Sequence, residues 1–363
     1  MNFGLSEEQE LLQDTTRRFV EERCPQKKLR ELFDGETDHD TALWQGMAEL
    51  GLTGLLVPDK HGGAGLELLE LALVSETLGH AATPGPFFGH SLATLAVLLG
   101  GSEAQKDRWL PLLASGDAIG TIAFAEPGGA WEPDAWALPV TPAGSGLRVS
   151  GEKLHVPAGR VADLLVVGVA GGGLALVERE SPGVEIKPYP GADRTRRLDR
   201  ITFEGVPANL LPGGAEAAPR VRDAGLVLLA ADALGGASHC IERSVQYAQT
   251  RVQFGVTISH FQAVKHQLAN MAVDIEPARG LLWYAAHAFD HLPAVAERTA
   301  AVAKAHLTDR YYQIARDTVE VHGGIGFTWE CDVQVWYKRA MFDRAFLGTP
   351  GVQRERAARL GGW

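Results

Sequence analysis

Apolar residues in the first third of the chain recur every three or four positions, which is the spacing of one face of an α-helix. The opening residues that follow this period are Leu5, Leu11, Leu12, Phe19 and Val20. Ser6 and Gln9 stand three residues apart and predict a capping box at the start of the first helix. Turn residues in Pro58–Gly65 separate two further helical patterns. We therefore expect an N-terminal α-helical domain over residues 1–115.

One uncharged stretch, Leu78–Ser102, is long enough to cross a membrane. It contains Pro84, Pro86 and several glycines, which would leave backbone groups without hydrogen bonds in lipid. The stretch therefore predicts the end of one helix, a turn and a new buried helix, and no membrane span.

Short apolar runs with turn residues between them replace the helical spacing over residues 116–215. Alternation and β-branched residues in runs such as DLLVVGV and LALVER predict strands at intervals of roughly ten residues. Gly171–Gly173 lies between two of these runs and predicts the tip of a hairpin. This part of the chain is expected to form a middle antiparallel β domain.

Long helical patterns return over residues 216–363, and the second of them runs unbroken from His260 to Phe289. Four such segments with short connections predict an up-and-down four-helix bundle. The predicted fold class is α+β, with an N-terminal α-helical domain (1–115), a middle antiparallel β domain (116–215) and a C-terminal four-helix domain (216–363).

The charge balance limits the partners that this chain can bind. It has 34 basic and 45 acidic side chains and a net charge of -11, which argues against nucleic acid or an anionic membrane as the main partner. The opening residues are acidic and lack an apolar run, so no secretory signal is expected and a cytoplasmic location is predicted.

Cysteine and histidine spacing gives no sign of a disulfide framework or a metal site. The cysteines are odd in number and widely spaced, which favours a reducing compartment. They are Cys24, Cys240 and Cys331. Four histidines of the C-terminal part share no metal-ligand spacing and are interpreted as packing or cofactor-edge residues, so no metal is predicted. They are His239, His260, His266 and His322.

Several motifs occur in one order along the chain. They are PDKHGGAG, RWLPLLASGD, AEPGG, RVQFG with FQAVKH, and HGGIGFTWE followed by LGTP. Each motif alone is weak, but with this order and spacing the chain resembles the acyl-CoA dehydrogenase flavoproteins over essentially its whole length. The resemblance implies FAD as cofactor and α,β-desaturation of an acyl-CoA thioester as the activity.

The resemblance also implies which residues grip the adenine and pyrophosphate half of FAD, across a subunit interface. They are Arg251, Phe254, Gln262, Gly323, Gly324 and Gly326. The chemistry suits the role, because a guanidinium offers a planar fork to phosphate, glycines let backbone N–H groups approach it, and Phe254 offers a ring face. Alternatively, Arg251 and Gly255 merely end a helix.

The residues that face the flavin ring in the family are matched less well by this sequence. A Thr usually precedes Glu-Pro and Gly-Ser-Asp follows it in the family, whereas Ala125–Trp131 carries no hydroxyl. The family's Trp-Ile-Thr-Asn segment corresponds here to His155–Ala158. Pro157 in this segment has no N–H to donate.

The carboxylate that removes the α-proton in the family is also missing. Its usual place, before Gly-Thr in the final helical region, is Leu347, and its second known place is Gly225. Asp223 is a weak alternative, because two residues along a helix correspond to a rotation of about 200°. Glu330 and Asp332 are interpreted as helix-start and surface carboxylates. No catalytic residue is therefore assigned to this chain.

Together, the resemblance implies one subunit of a heteromeric enzyme whose paralogous partner carries the catalytic Glu. It is similar to the unequal subunits of actinobacterial steroid-side-chain acyl-CoA dehydrogenases, which form α2β2 heterotetramers. A bulky acyl-CoA would then be the substrate, and an electron-transfer flavoprotein would reoxidise FAD. Two alternatives stay open: a self-sufficient homotetramer with a non-standard base, and a catalytically inactive structural subunit.

A basic turn late in the β domain has two interpretations. It either meets the phosphates of CoA or is simply solvated. Its cations are Lys187, Arg194, Arg196, Arg197 and Arg200.

Overall fold

The computed structural model describes residues 4–129, 131–144 and 146–363, so the first three residues, Ala130 and Ser145 lie outside it. Helices fill the chain up to Ala114. They are α1 (Glu7–Arg23), α2 (Gln26–Asp34), α3 (Thr41–Glu49), α4 (Leu68–His80), α5 (Phe87–Gly100) and α6 (Glu103–Ala114). The capping box is confirmed, because the Ser6 hydroxyl accepts from the Gln9 N–H at 3.2 Å and the Ser6 N–H donates to Gln9 Oε1 at 2.9 Å.

The uncharged stretch Leu78–Ser102 contains the end of α4, a turn and the largely buried α5, as expected. A different helix is long and apolar enough to cross a membrane by length and composition, namely Gly214–Thr250. Most of its apolar window, 83%, is buried inside the structure, as in the core helix of a folded domain.

The middle of the chain forms a sheet with the strand order β1-β4-β5-β7-β3-β2, in which β6 also pairs with β7. Its strands are β1 (Gly120–Ala123), β2 (Val140–Ala143), β3 (Gly146–Pro157), β4 (Leu164–Val169), β5 (Gly173–Glu178), β6 (Val184–Tyr189) and β7 (Leu198–Leu210). The predicted hairpin joins β4 and β5, and Gly171 and Gly172 at its tip have φ values of 81° and 75°. Those angles favour glycine.

One pairing differs from the antiparallel domain that the sequence predicts. β1 and β4 run parallel, from Gly120 opposite Leu164 to Ala123 opposite Val167, while the other pairings of this sheet are antiparallel. Parallel neighbours need a long crossover connection, which β2 and β3 supply here. All residues of β4 are buried, as is usual for a strand that is covered on both faces.

Helices return after the sheet, with a short hairpin between the first two. They are α7 (Gly214–Thr250), α8 (Gln262–Ile275), α9 (Arg279–His291), α10 (Pro293–His322), α11 (Val333–Ala345) and α12 (Pro350–Leu360), and the hairpin strands are β8 (Val252–Gln253) and β9 (Val256–Thr257). The continuous helix predicted from His260 to Phe289 is wrong. A 3₁₀ turn at Glu276–Ala278 interrupts it, because Pro277 cannot donate a helical hydrogen bond. The fold is therefore α+β, with helical N- and C-terminal parts and a mixed sheet between them.

By internal contacts the chain divides into two compact units. The first contains the chain up to Phe33, Ala72–Thr83 and Leu226–Trp363, and the second contains Asp34–Leu71 and Pro84–Gly225. The boundaries of three separate domains at 115/116 and 215/216 stay a prediction.

Candidate functional site

The first candidate region lies at the hairpin that follows α7. The Arg251 N–H donates to the Tyr247 carbonyl at 2.8 Å, and the Arg251 carbonyl accepts from the Ile258 N–H at 2.8 Å, so its backbone is fixed. Phe254 and Gly255 form the two-residue turn between β8 and β9, with φ values of 54° and 81°. Two-residue hairpin turns of this kind need positive φ at both positions, which glycine adopts freely and phenylalanine rarely does.

The side chains of this region are presented to solvent. Phe254 is 93% exposed, and its ring meets the edge of the Phe261 ring, with centroids 6.0 Å apart. Arg251 and Gln262 are exposed, and within the described residues neither side chain has a hydrogen bond or ion pair. A cation, an amide and a ring are thus available to a ligand or a partner.

The three predicted glycines differ in what they allow. Gly323 ends α10 with φ 63° and ψ -142°, a conformation that is essentially restricted to glycine. A Cβ on Gly323 or Gly324 would meet nothing within 4 Å, so a ligand can approach the backbone there. A Cβ on Gly326 would lie 2.5 Å from the Val319 carbonyl oxygen, so Gly326 is required by the packing of its turn against the end of α10.

The second candidate region surrounds Glu126 in the AEPGG motif. The Glu126 carboxylate accepts from the buried Lys153 Nζ at 2.6 Å and from the N–H groups of Ala137 and Leu138 at 2.9 and 3.0 Å. Burial acts to raise the pKa of Glu126, but these donors outweigh it and the pKa lies below its usual range. Burial lowers the pKa of Lys153 to about 8. Glu126 is therefore a buried structural anchor and not a proton acceptor.

The segment His155–Ala158 is closed by its own neighbours. The His155 ring stacks at 5.9 Å from Trp131 and meets the edge of Tyr189 at 4.7 Å. The Pro157 carbonyl accepts from the Thr121 hydroxyl, and the Ala158 N–H donates to the Arg197 carbonyl at 3.0 Å. Burial lowers the pKa of His155, which favours a neutral ring. This segment therefore offers few donors to a flavin.

The turn at the family's usual base position is intact although it carries Leu347. Leu347 is 1% exposed and has φ 55°, and its carbonyl accepts from Gln353 Nε2 at 2.8 Å. The buried Lys304 ammonium donates to the carbonyls of Arg344, at 2.9 Å, and Gly348. The backbone of the turn is thus held on both sides, and its side chain cannot accept a proton.

Two of the other carboxylates considered as bases, Asp223 and Asp332, form ion pairs. Asp223 lies 3.0 Å from the Arg222 guanidinium, which also contacts Glu132 at 2.6 Å. Asp332 precedes α11 and pairs with Arg30 at 3.1 Å. Glu330 is exposed, as expected of a surface carboxylate.

The basic turn of the β domain is partly neutralised. Lys187 pairs with Glu185 at 2.8 Å, Arg200 pairs with Glu152, and the Arg196 guanidinium lies 5.1 Å from the Phe88 ring centroid. The Arg197 guanidinium donates to the Gly35 carbonyl, and Arg194 and Arg197 line a cavity of about 320 Å³ together with Arg160, Tyr189 and Asp193. Contact of this turn with CoA stays a prediction.

Sequence reasoning missed one cluster of possible metal ligands. His80, His239 and Glu242 bring their donor atoms within 4.8 Å of one another. The signal in the sequence was the spacing of three residues between His239 and Glu242, but His80 lies far away along the chain. Only the packing of α4 against α7 brings it close.

Comparisons with known proteins identify the family. Residues 6–117 match the model of the acyl-CoA dehydrogenase N-terminal domain, and residues 216–361 match that of the C-terminal domain. The acyl-CoA dehydrogenase IpdE2 of Mycolicibacterium smegmatis is 31% identical over 357 residues, which cover 97% of this chain and 98% of that protein.

Two solved structures, each of a protein named as a pair of chains, are also similar to this chain. A variant of the steroid acyl-CoA dehydrogenase Tcur3481-Tcur3483 matches with 31% identity and a TM-score of 0.91, over 98% of both chains. The ChsE4-ChsE5 complex of Mycobacterium tuberculosis matches with 26% identity and a TM-score of 0.90, over 100% of this chain and 99% of that one.

Proposed function

Because this chain belongs to the acyl-CoA dehydrogenase family, we propose that it is one subunit of a heteromeric acyl-CoA dehydrogenase and that a paralogous subunit supplies the catalytic Glu. The family is one of oxidoreductases that act on CH–CH bonds, and its cofactor is FAD. In the proposed α2β2 heterotetramer, this chain binds part of the FAD and the partner chain supplies the catalytic Glu.

The observation that carries the proposal is the contrast between two parts of this chain. Arg251 and Phe254 are exposed and available, as a group that reaches a cofactor held by a neighbour should be. Leu347 occupies an intact turn without a carboxylate, and Pro157 offers no N–H. A chain that has the exposed cofactor-binding residues but lacks the catalytic carboxylate fits a subunit that completes the site of another chain.

The exposed residues fit the FAD that the family uses. Arg251 would hold the pyrophosphate, the open backbone at Gly323 and Gly324 would approach it, and Phe254 would cover a ring. When bound, FAD accepts the hydride that leaves the β-carbon of the acyl-CoA. In this proposal Gly326 serves the same region indirectly, by allowing the turn that carries Gly323 and Gly324.

For the substrate we propose a bulky acyl-CoA such as a steroid side-chain CoA ester. Support comes from the similarity to the Tcur3481-Tcur3483 steroid acyl-CoA dehydrogenase and to the two-chain ChsE4-ChsE5 complex. The partner's carboxylate would remove the α-proton, and an electron-transfer flavoprotein would reoxidise the flavin.

The test compares this chain expressed alone with the same chain co-expressed with a paralogue that carries the Glu. Flavin absorbance per chain and dehydrogenation of a steroid CoA ester with an artificial acceptor are measured for both preparations. We expect a colourless, inactive single chain and a yellow, active complex with one FAD per two chains. A yellow, active single chain that loses activity on Asp223→Ala would overturn the proposal, and a colourless complex would favour a purely structural subunit.

A further inference from the structure

A small group of nitrogen and oxygen donors lies where the end of α4 meets the middle of α7. His80 is the last residue of α4, and His239 and Glu242 stand three residues apart on α7, so they share a face of that helix. His80 Nε2 lies 3.0 Å from a carboxylate oxygen of Glu242, and the rings of His80 and His239 are 5.1 Å apart at an interplanar angle of 82°. All three donors belong to the first compact unit.

The ring of His239 is held in a fixed orientation. The His239 ring stacks on Trp336 with centroids 3.9 Å apart and an interplanar angle of 4°. The Trp336 indole N–H donates to the His80 carbonyl at 3.0 Å, which ties the two histidine-bearing segments to the same side chain. A preorganised ligand loses little freedom when it binds an ion.

Two cavities give access to the group, and His80 lines both. One, of about 250 Å³, is bordered by His239, Arg243 and Cys24, and the other, of about 410 Å³, by Glu242 and Arg17. Arg17 and Arg243 oppose a cation, whereas Glu242 favours one, and the carboxylate of Glu21 also borders both cavities.

The spacing is close to that of a zinc site. Ligand atoms at about 2.1 Å from a shared tetrahedral ion are roughly 3.4 Å apart, so the widest separation here, within 4.8 Å, has to close by up to roughly 1.4 Å. The side chains of His80 and Glu242 are 37% and 57% exposed, so both have room to move toward a shared ion. Two imidazoles and a carboxylate with one open position form a common ligand set for zinc.

We propose that His80, His239 and Glu242 bind one Zn²⁺ per chain, with water at the remaining position. The site would link α4 to α7 and does not depend on the proposed function, because neither FAD nor a partner subunit takes part in it.

The test is calorimetric titration of the full chain with Zn²⁺ after chelator treatment and dialysis. One ion per chain is expected, and His239→Gln should weaken binding at least tenfold, since loss of even a second-shell partner costs roughly 10- to 100-fold. Glu242→Gln changes a largely exposed side chain and should weaken binding similarly, which keeps the test decisive if His239→Gln fails to fold. Co²⁺ should give visible absorption bands in the parent chain that both variants lose.

A second histidine pair provides the matched control. His287 and His291 are exposed on α9, with rings stacked 4.5 Å apart, and serve to test whether exposed histidines in general account for Zn²⁺ binding. The double substitution His287→Ala, His291→Ala should leave the number of bound ions and their affinity unchanged. Binding that is lost in this control and kept in Glu242→Gln, or no binding by the parent chain, would overturn the proposal.

Discussion

Phe254 provides the sharpest test of the proposed FAD-binding residues. Its ring is 93% exposed, so in the isolated chain it contributes little to folding. Its backbone is nevertheless held at φ 54° in a hairpin turn, where a large apolar residue is unusual. In the proposed complex, this ring would be covered by the FAD that it helps to bind.

The size of the effect follows from the exposed ring. Surface substitutions without special contacts change the free energy of unfolding by about 0.5 kcal/mol or less. Phe254→Ala should therefore leave the melting temperature of the isolated chain almost unchanged. Covering a phenylalanine side chain contributes about 1.5–3 kcal/mol, so the same substitution should weaken FAD retention in the complex by roughly 10- to 150-fold.

The assay is fluorescence of FAD released from the co-expressed complex on serial dilution, together with thermal unfolding of the isolated chain. Leu11→Ala is the matched control, because Leu11 is 61% exposed on α1 and away from the hairpin in sequence. Leu11→Ala should release FAD like the parent. FAD retention by Phe254→Ala within twofold of the parent would refute the role of the ring.

Three further predictions concern buried groups. Glu126→Gln leaves the Lys153 ammonium without its counter-charge and should lower the free energy of unfolding by about 3–5 kcal/mol. The measurement is urea unfolding at pH 7, and an unchanged unfolding midpoint would contradict the ion pair. Gly236→Ala places a Cβ 2.4 Å from the Tyr311 hydroxyl and should cost about 1–3 kcal/mol, seen as a lower melting temperature. Burial lowers the pKa of Lys304 from 10.5 to about 7, so between these pH values the unfolded chain binds more protons than the folded chain. The free energy of unfolding of the parent should therefore rise relative to that of Lys304→Met as the pH rises from 7 to 9. A difference between the two proteins that does not change with pH would refute this.

Local features of the fold were predictable from sequence because they depend on neighbouring residues. The capping box at Ser6 needs only Gln9, and the β4–β5 hairpin needs only the glycines at its tip. The break at Pro277 is also a local feature, but the apolar spacing continues on both sides of it and by itself predicts one continuous helix.

Features that depend on distant residues were not predictable from spacing. The parallel direction of β1 and β4 follows from how the intervening strands cross, which alternation does not reveal. The buried pair of Lys153 and Glu126 joins positions 27 apart, and the contact of His80 with Glu242 joins positions 162 apart. The candidate cofactor residues were available only through the family resemblance, since an exposed Arg or Phe has no periodic signature.

The turn at Leu347 stands at the family's usual base position but lacks the carboxylate side chain. Lys304 and Gln353 hold its backbone, so replacing the side chain does not require the turn to move. Leu347→Glu should place a carboxylate where the family usually has one, at a cost of about 1–3 kcal/mol for burying it, while Leu347→Gln has the same shape without the acid. Both single-chain variants should remain inactive on a steroid CoA ester, because Pro157 still offers no N–H to a flavin and the partner is absent. Activity in the Glu variant but not in the Gln variant would mean that this chain holds a complete flavin and acyl site lacking only the base, and the division of labour between two subunits would be wrong.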